Sequence, residues 1–261
     1  MLKILFLGDI VGEPGRLAAI RTAELYLTRG DADFVVANGE NAAAGRGITP
    51  KLAIELMRSG IAVITSGDHI WDQKEIIPYL ATEPRLLRPL NYPSGTPGAG
   101  SIILETAKGP VAVMNLQGRT FMNNPLENPF LVAIEEAARL RKETPMILVD
   151  MHAETTSEKI AMGYHLDGLV SFVVGTHTHV PTADEKILPQ GTAFLCDAGM
   201  CGPEHSVLGR DPKAVVEKFL TSMPKKFPIA EGPTIALGAI VEIDEETGRA
   251  CNIRRIVERY R

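Results

Sequence analysis

No apolar run in these 261 residues approaches the roughly 20 needed for a helix to cross a bilayer, so no membrane span is expected. Cysteine is scarce. Cys196, Cys201 and Cys251 are odd in number and do not make the framework of a small disulfide-stapled protein. Cys196, Cys201 and His205 offer soft zinc ligands. Cys196 falls in an apolar strand pattern, however, and no fourth ligand is near, which argues against a structural zinc. Basic excess is missing as well: a net charge of −5 argues against a broad nucleic-acid surface. The basic stretch NIRRIVERYR mixes apolar and charged residues and reads as a solvated edge strand. Internal repeats, low-complexity tracts and linkers are absent, so residues 1–261 read as a single domain.

Several nucleotide and hydrolase signatures are missing too. There is no Walker lysine motif and no G-x-S-x-G elbow. GDIVGEPG has the wrong glycine spacing for a dinucleotide fingerprint, and Asp9 directly after Gly8 would repel a pyrophosphate. Val11 stands where an aspartyl-phosphate enzyme of the haloacid dehalogenase type would carry its second aspartate. The opening MLKILFLGD looks like a short signal h-region. It lacks a small-residue cleavage site and runs into an acid, so it reads as a first strand, and a cytoplasmic location is expected.

What is present is an alternation of strands and helices. With 45% hydrophobic residues, the chain can bury a sizeable core. Buried strands are expected at 2–7, 34–37, 61–65, 147–149, 169–174 and 193–195, and amphipathic helices at 16–29, 50–59, 130–143 and 212–223. Thr49-Pro50 reads as a helix start and Gly60 as its stop. Hairpins are expected for 101–106 with 111–116, and for 239–243 with 250–257 around the turn DEETGR. That is many strands for one open sheet, so two stacked mixed sheets with outer helices are plausible. The Pro/Gly-rich segment 88–101 reads as a long, functional loop.

The strand ends carry the chemistry. In open α/β sheets, ligands gather beyond the carboxyl ends of the strands. Here those ends are Gly8-Asp9, Asn38-Gly39-Glu40-Asn41, Ser66-Gly67-Asp68-His69, Asp150-Met151-His152 and Gly175-Thr176-His177-Thr178-His179. Taken alone, Asp9 is a cap, Asn41 a turn residue and His152 a core histidine. Five such ends together are different, because burying these groups side by side without a cation is costly. Carboxylate, imidazole and amide donors without thiolate suit Mn, Fe, Zn or Co. The donors outnumber one coordination sphere. Two ions sharing a carboxylate, about 3.5–4 Å apart, would use them all and would hold a hydroxide for in-line attack on a phosphate.

The segments GDIVG, NGEN, SGDH, DMHAE and GTHTH resemble the calcineurin-like metallophosphoesterase superfamily. More closely, together with NLQGRTFM, GTHTHVPTAD and DAGMCGP, the chain resembles the bacterial YmdB-like phosphodiesterases along nearly its whole length. The resemblance implies two facing mixed sheets flanked by helices, a four-layer α/β/β/α sandwich. It implies that Asp9, Glu40, Asn41 and His179 hold one metal, that Glu40 bridges to a second held by Asp68, His152 and His177, and that His69 is the general acid. It implies iron or manganese, and small phosphodiester or cyclic-nucleotide substrates. Two positions depart from the superfamily pattern. Val11 replaces the histidine of Asp-x-His, as suits the YmdB-like branch, and Asp68 replaces the asparagine of Gly-Asn-His. Asp68 should bind an ion at least as well, but it reduces the positive charge available to the transition state.

The competing readings are a metal-binding regulatory or interaction protein with little turnover, which Asp68 favours, and a phosphomonoesterase. Homo-oligomer formation is left open. Around the site, Glu154, Thr155 and Ser157 are candidates to bond ligands or substrate, though TTSEK equally caps a helix. Arg46 and Arg119 are candidate phosphate contacts, and Trp71 and Phe121 are candidate base-stacking rings with core packing as the alternative. His165 and His205 read as structural.

Overall fold

The computed structural model describes residues 1–123 and 125–261. In chain order the elements are β1 (Leu2–Leu7), β2 (Asp9–Ile10), α1 (Gly12–Arg29), β3 (Phe34–Asn38), α2 (Pro50–Arg58), β4 (Val63–Thr65), α3 (Ile76–Leu80), β5 (Ser101–Thr106) and β6 (Gly109–Gln117). There follow α4 (Pro129–Leu140), β7 (Ile147–His152), α5 (Thr156–His165), β8 (Phe172–Thr176), β9 (Lys186–Ile187), β10 (Ala193–Leu195), β11 (Met200–Pro203), α6 (Pro212–Thr221), β12 (Thr234–Ile243) and β13 (Ala250–Tyr260).

The strands form two sheets. One runs β2-β11-β12-β1-β3-β4, with β13 paired to the outer side of β12; the other runs β5-β6-β7-β8-β10-β9. β1, β3 and β4 are mutually parallel, as are β6, β7, β8 and β10, while the two expected hairpins supply antiparallel pairs. Period-2 alternation builds the layers. In β1, Leu2, Ile4 and Phe6 meet Val113, Leu148, Phe172 and Val174 of the second sheet, whereas Leu5 and Leu7 face α1 and α2. On the far side, Met114, Val149 and Met151 pack against Ala133 and Ala137 of α4 and Met162 of α5. Both sheets are therefore sandwiched, and the expected helix–sheet–sheet–helix order is observed.

Local differences have local causes. α1 begins at Gly12 rather than at residue 16, because Pro14 in GEPG is tolerated in a first turn, where its missing N–H is not needed. β8 begins only at Phe172, since Leu169 and Val170 still donate their N–H groups to the Leu166 carbonyl. β13 is the charged edge expected of NIRRIVERYR; Arg255 and Arg259 pair with Glu185 and Glu204. The loop 88–101 is tied to itself. The buried Arg88 guanidinium donates to the carbonyls of Pro89, Leu90, Thr96 and Pro97. No helix is long and apolar enough to cross a membrane among the described residues.

Candidate metal centre

The inter-sheet core changes character toward the carboxyl ends of the parallel strands. On β3, β4, β6, β7 and β8 the inward alternation passes from Val36, Val63, Val113, Leu148 and Val174 to Asn38, Thr65, Asn115, Asp150 and Thr176. All five are buried; Asn38, Thr65, Asp150 and Thr176 are bonded to one another across the sheets, and Asn115 holds the backbone beside them. Asp150 accepts from Thr65 Oγ1 at 2.5 Å, Thr176 Oγ1 at 2.6 Å and Asn38 Nδ2 at 3.0 Å. Asn115 Oδ1 accepts from the Ser66 N–H at 2.9 Å, and Asn38 Oδ1 from the Glu40 N–H at 3.1 Å. This layer is the floor on which the strand-end residues stand.

All eight residues singled out in the sequence lie together on that floor. Donor atoms of Glu40, Asp68, His152 and His177 fall within 4.8 Å of one another. His152 Nε2 is 3.2 Å from both Glu40 Oε1 and Asp68 Oδ1, and 3.0 Å from His177 Nδ1. On the other side of Glu40, Asn41 Nδ2 is 2.9 Å from Glu40 Oε1 and 3.3 Å from His179 Nε2, which is 3.8 Å from Asp9 Oδ1. Asp9 Oδ1 is buried with no hydrogen-bond partner. A Cβ on Gly67 would overlap His152 and Glu40, so only glycine lets the chain pass here.

The partners of the three imidazoles set their tautomers. His152 Nδ1 lies 2.9 Å from Thr176 Oγ1, whose own hydrogen goes to Asp150; the imidazole must therefore donate from Nδ1. His177 Nε2 faces Glu154 at 3.2 Å, and His179 Nδ1 faces the Leu208 carbonyl at 3.3 Å. His152 and His179 thus engage an outer N–H, His177 has Glu154 at its outer nitrogen, and all three turn their other nitrogen to the Asp9, Glu40 and Asp68 carboxylates, which is how metal-binding histidines are oriented. His177 and His179 reach these positions with φ of 101° and 64°, backbone that a β-carbon strains.

The electrostatics are those of crowded like charges. Burial holds the Asp9 carboxyl well above its usual range, with Glu40 and Asp197 adding to the effect against the pull of His152. Burial pushes Glu40 and Asp68 the same way, but neighbouring His152 outweighs it and both are lowered on balance. Burial disfavours a charged His152, yet Glu40, Asp68 and Asp9 hold it well above the ordinary imidazole value. Burial and the adjacent His152 lower His177 to about 4, and burial lowers His179, so both are neutral at pH 7.

His69 stands at the edge of this cluster. Its Nδ1 is 3.2 Å from Asp72 Oδ2, which also accepts from Arg46 Nε at 2.8 Å. Arg46 therefore sits beside the site, where a phosphate contact was sought, whereas Arg119 does not line the cleft above the cluster. Trp71 packs edge-on against Tyr92 with centroids 5.6 Å apart, Phe121 is solvent-exposed, and His165 bonds the Phe130 carbonyl. Cys196, Cys201 and His205 form no cluster with metal-binding geometry among the described residues. Thr155 is the N-cap position of α5 but makes no capping bond. Of that trio, Glu154 reaches the site.

A model of the YmdB-like proteins matches residues 5–256. The chain belongs to this family. It is 47% identical over 256 residues to a 2′,3′-cyclic-nucleotide 2′-phosphodiesterase of Bacillus subtilis, covering 98% of this chain and 97% of that protein. Two solved structures superpose with TM-scores of 0.91. One is a protein of Thermus thermophilus, 38% identical and covering 99% of both chains; the other is a novel phosphatase of Mycoplasma pneumoniae, 34% identical and covering 99% and 93%.

Residues that were not singled out as ligands in the sequence brace the cluster. Lys159 projects from α5 into the interior, 1% exposed, and its Nζ is 2.7 Å from Asp197 Oδ2. The same oxygen accepts from Thr178 Oγ1 at 2.7 Å and the Thr178 N–H at 3.3 Å, while Asp197 Oδ1 accepts from the Gly199 N–H. This buried ion pair grips the residue between the two strained histidines. Asp150 and Thr176 stand in the strand-end segments of the sequence, but only the fold shows that they hold His152 in place. Replacing Thr176 with valine removes the acceptor that orients His152 and is expected to weaken divalent-metal binding by about 10–100-fold, measurable by titration against a chromogenic chelator. Unchanged affinity would show that the tautomer is set otherwise.

Proposed function

We propose that this chain is a phosphoric diester hydrolase acting on small phosphodiesters, 2′,3′-cyclic nucleotides among them, at a centre of two transition-metal ions. The observation that carries this reading is the convergence of three pre-oriented imidazole nitrogens on Asp9, Glu40 and Asp68. Asp9, Glu40, Asn41 and His179 would hold one ion; Asp68, His152 and His177 would hold the other, with Glu40 shared. Iron or manganese fits best and zinc also matches the donors. When bound, the ions would supply positive charge to the phosphate oxygens and acidify a water. For Nε2 of His152 to hold an ion, the proton favoured there by the surrounding carboxylates would have to leave.

The chain's own residues do the rest. As the imidazolium, His69 pairs through Nδ1 with Asp72, 3.2 Å away, which leaves Nε2–H to give its proton to the leaving alkoxide. Arg46, anchored on Asp72, keeps a cation at the entrance of the cleft, where it meets an incoming phosphate. The whole of 1–261 is taken to act as one domain, and the three free cysteines support a cytoplasmic setting.

His69→Asn is expected to lower turnover of adenosine 2′,3′-cyclic phosphate by about 10²–10⁴-fold with Mn²⁺ or Fe²⁺ present, and to leave metal content unchanged. A fully active variant would remove His69 from the mechanism. Asp68, with its extra negative charge, favours a second reading in which the chain binds metal but turns over little. Wild-type protein carrying two ions and inert toward bis-p-nitrophenyl phosphate and cyclic nucleotides would support that reading. Preference for p-nitrophenyl phosphate would instead mark a monoesterase.

A further inference from the structure

A cleft of about 870 Å³ opens above the centre, and its two halves differ. The inner half is polar and includes Glu40, Asn41, His69, His177 and His179. The outer half is walled by Leu208, Val215, Phe219 and Phe227. A phosphodiester group needs only the inner half. Val215 is buried and serves the fold, but Phe219 is 82% exposed and Leu208 45%; folding does not explain these two, and apolar side chains left in water beside a site mark a ligand surface.

The wall is built by helical spacing. Val215, Lys218, Phe219 and Ser222 stand at i, i+3, i+4 and i+7 along α6 and its C-cap, and all four line the cleft. The wall is also held in place. Arg210 donates to the carbonyls of Ala44 and Phe227 at 3.2 Å and of Gly45 at 2.5 Å, which ties the Phe227 segment to the loop following Glu40 and Asn41. Apolar groups therefore alternate with polar ones, Lys218 and Ser222, along one rim. An acyl chain would call for a continuous apolar channel. A flat ring with apolar faces and a polar edge matches this rim.

We propose that the outer half is a nucleobase subsite in which Phe219 stacks on the base of a nucleoside phosphodiester whose phosphate lies over the inner half. The subsite rests on the hydrolase reading above and adds to it the residue, Phe219, that recognises the base. Continuity with the phosphate-binding floor selects this occupant: a base joined through a ribose to the phosphate reaches the wall of the same cleft.

Two measurements test it. In the first, kcat/KM is compared for adenosine 2′,3′-cyclic phosphate and the base-free ribose 2′,3′-cyclic phosphate. The wild type is expected to prefer the nucleotide by about 10–100-fold; Phe219→Ala cuts that preference about 5-fold or more, and Phe219→Trp restores it. Leu220→Ala, on the same helix, 80% exposed and outside the cleft, leaves the preference unchanged. Equal rates on both substrates, or a preference that survives Phe219→Ala, would overturn the subsite while leaving the hydrolase reading intact. In the second, calorimetry compares adenosine 2′-monophosphate with inorganic phosphate on the metal-loaded protein. If the wild type hydrolyses neither diester, the hydrolase reading fails and calorimetry decides the subsite alone. Tighter binding of the nucleotide, lost in Phe219→Ala, sustains the subsite; equal binding of the two ligands overturns it.

Discussion

Glu40→Gln is expected to lower turnover of a cyclic nucleotide diester by about 10²–10⁴-fold and to release at least one metal ion. Glu40 sits at the centre of the cluster. Its Oε1 is 3.2 Å from His152 Nε2 and accepts from Asn41, and its Oε2 accepts from the His69 N–H at 3.4 Å. Losing the shared carboxylate is expected to cost about 3–5 kcal/mol in ion or transition-state affinity, which corresponds to that range at about 1.36 kcal/mol per tenfold. The substitution is isosteric, so packing is kept and the loss is one of charge. It also relieves repulsion among Asp9, Glu40 and Asp68. The metal-free variant is therefore expected to melt near the metal-free wild type, while the rise in Tm on adding Mn²⁺ disappears. Metal content by mass spectrometry and paired melts with and without Mn²⁺ check this. A Gln variant that retains two ions and full activity would remove Glu40 from the bridging role.

Asp197→Ala strands a buried cation. With Lys159 1% exposed and its Nζ 2.7 Å from Asp197, the single substitution is expected to destabilise the protein by about 3–5 kcal/mol. For a chain of this size that is a fall in Tm of about 6–20 °C. Activity falls with it, because Thr178 loses its acceptor and the strained turn between His177 and His179 loosens. The double variant Lys159→Met, Asp197→Leu separates the two effects. It restores an apolar interior, so most of the stability is expected to return, but no acceptor for Thr178 returns and activity stays low. Thermal denaturation and steady-state rates on the three variants measure this. Full recovery of activity in the double variant would show that the ion pair serves stability alone.

Much of this fold is legible in the sequence, for identifiable reasons. β1, β5 and β10 fall at the residues expected from apolar patterning, and Thr49-Pro50 starts α2 with Thr49 Oγ1 accepting from the Leu52 N–H. All eight predicted site residues are gathered in one place, because each lies at a strand end or within a few residues of one, where glycine or a break in apolarity marks the end. Short elements were not visible. β2, β9 and α3 carry too few residues for a period to show. The loop 88–101 has the composition of a functional loop but lines no part of the cleft, since its carbonyls are taken by Arg88.

By itself the sequence determined where the longer strands and helices lie, and which donor types crown the strands, since both follow from local period and residue chemistry. Only the tertiary structure decided that two sheets stack with their carboxyl edges together. That stacking lets the His177 N–H donate to Asp9 from 168 residues away, lets Asn38 and Thr65 reach Asp150, and turns Lys159 from a helix surface into the interior. These contacts join distant segments of chain, and a group's partner across two layers leaves no trace in the residues beside it.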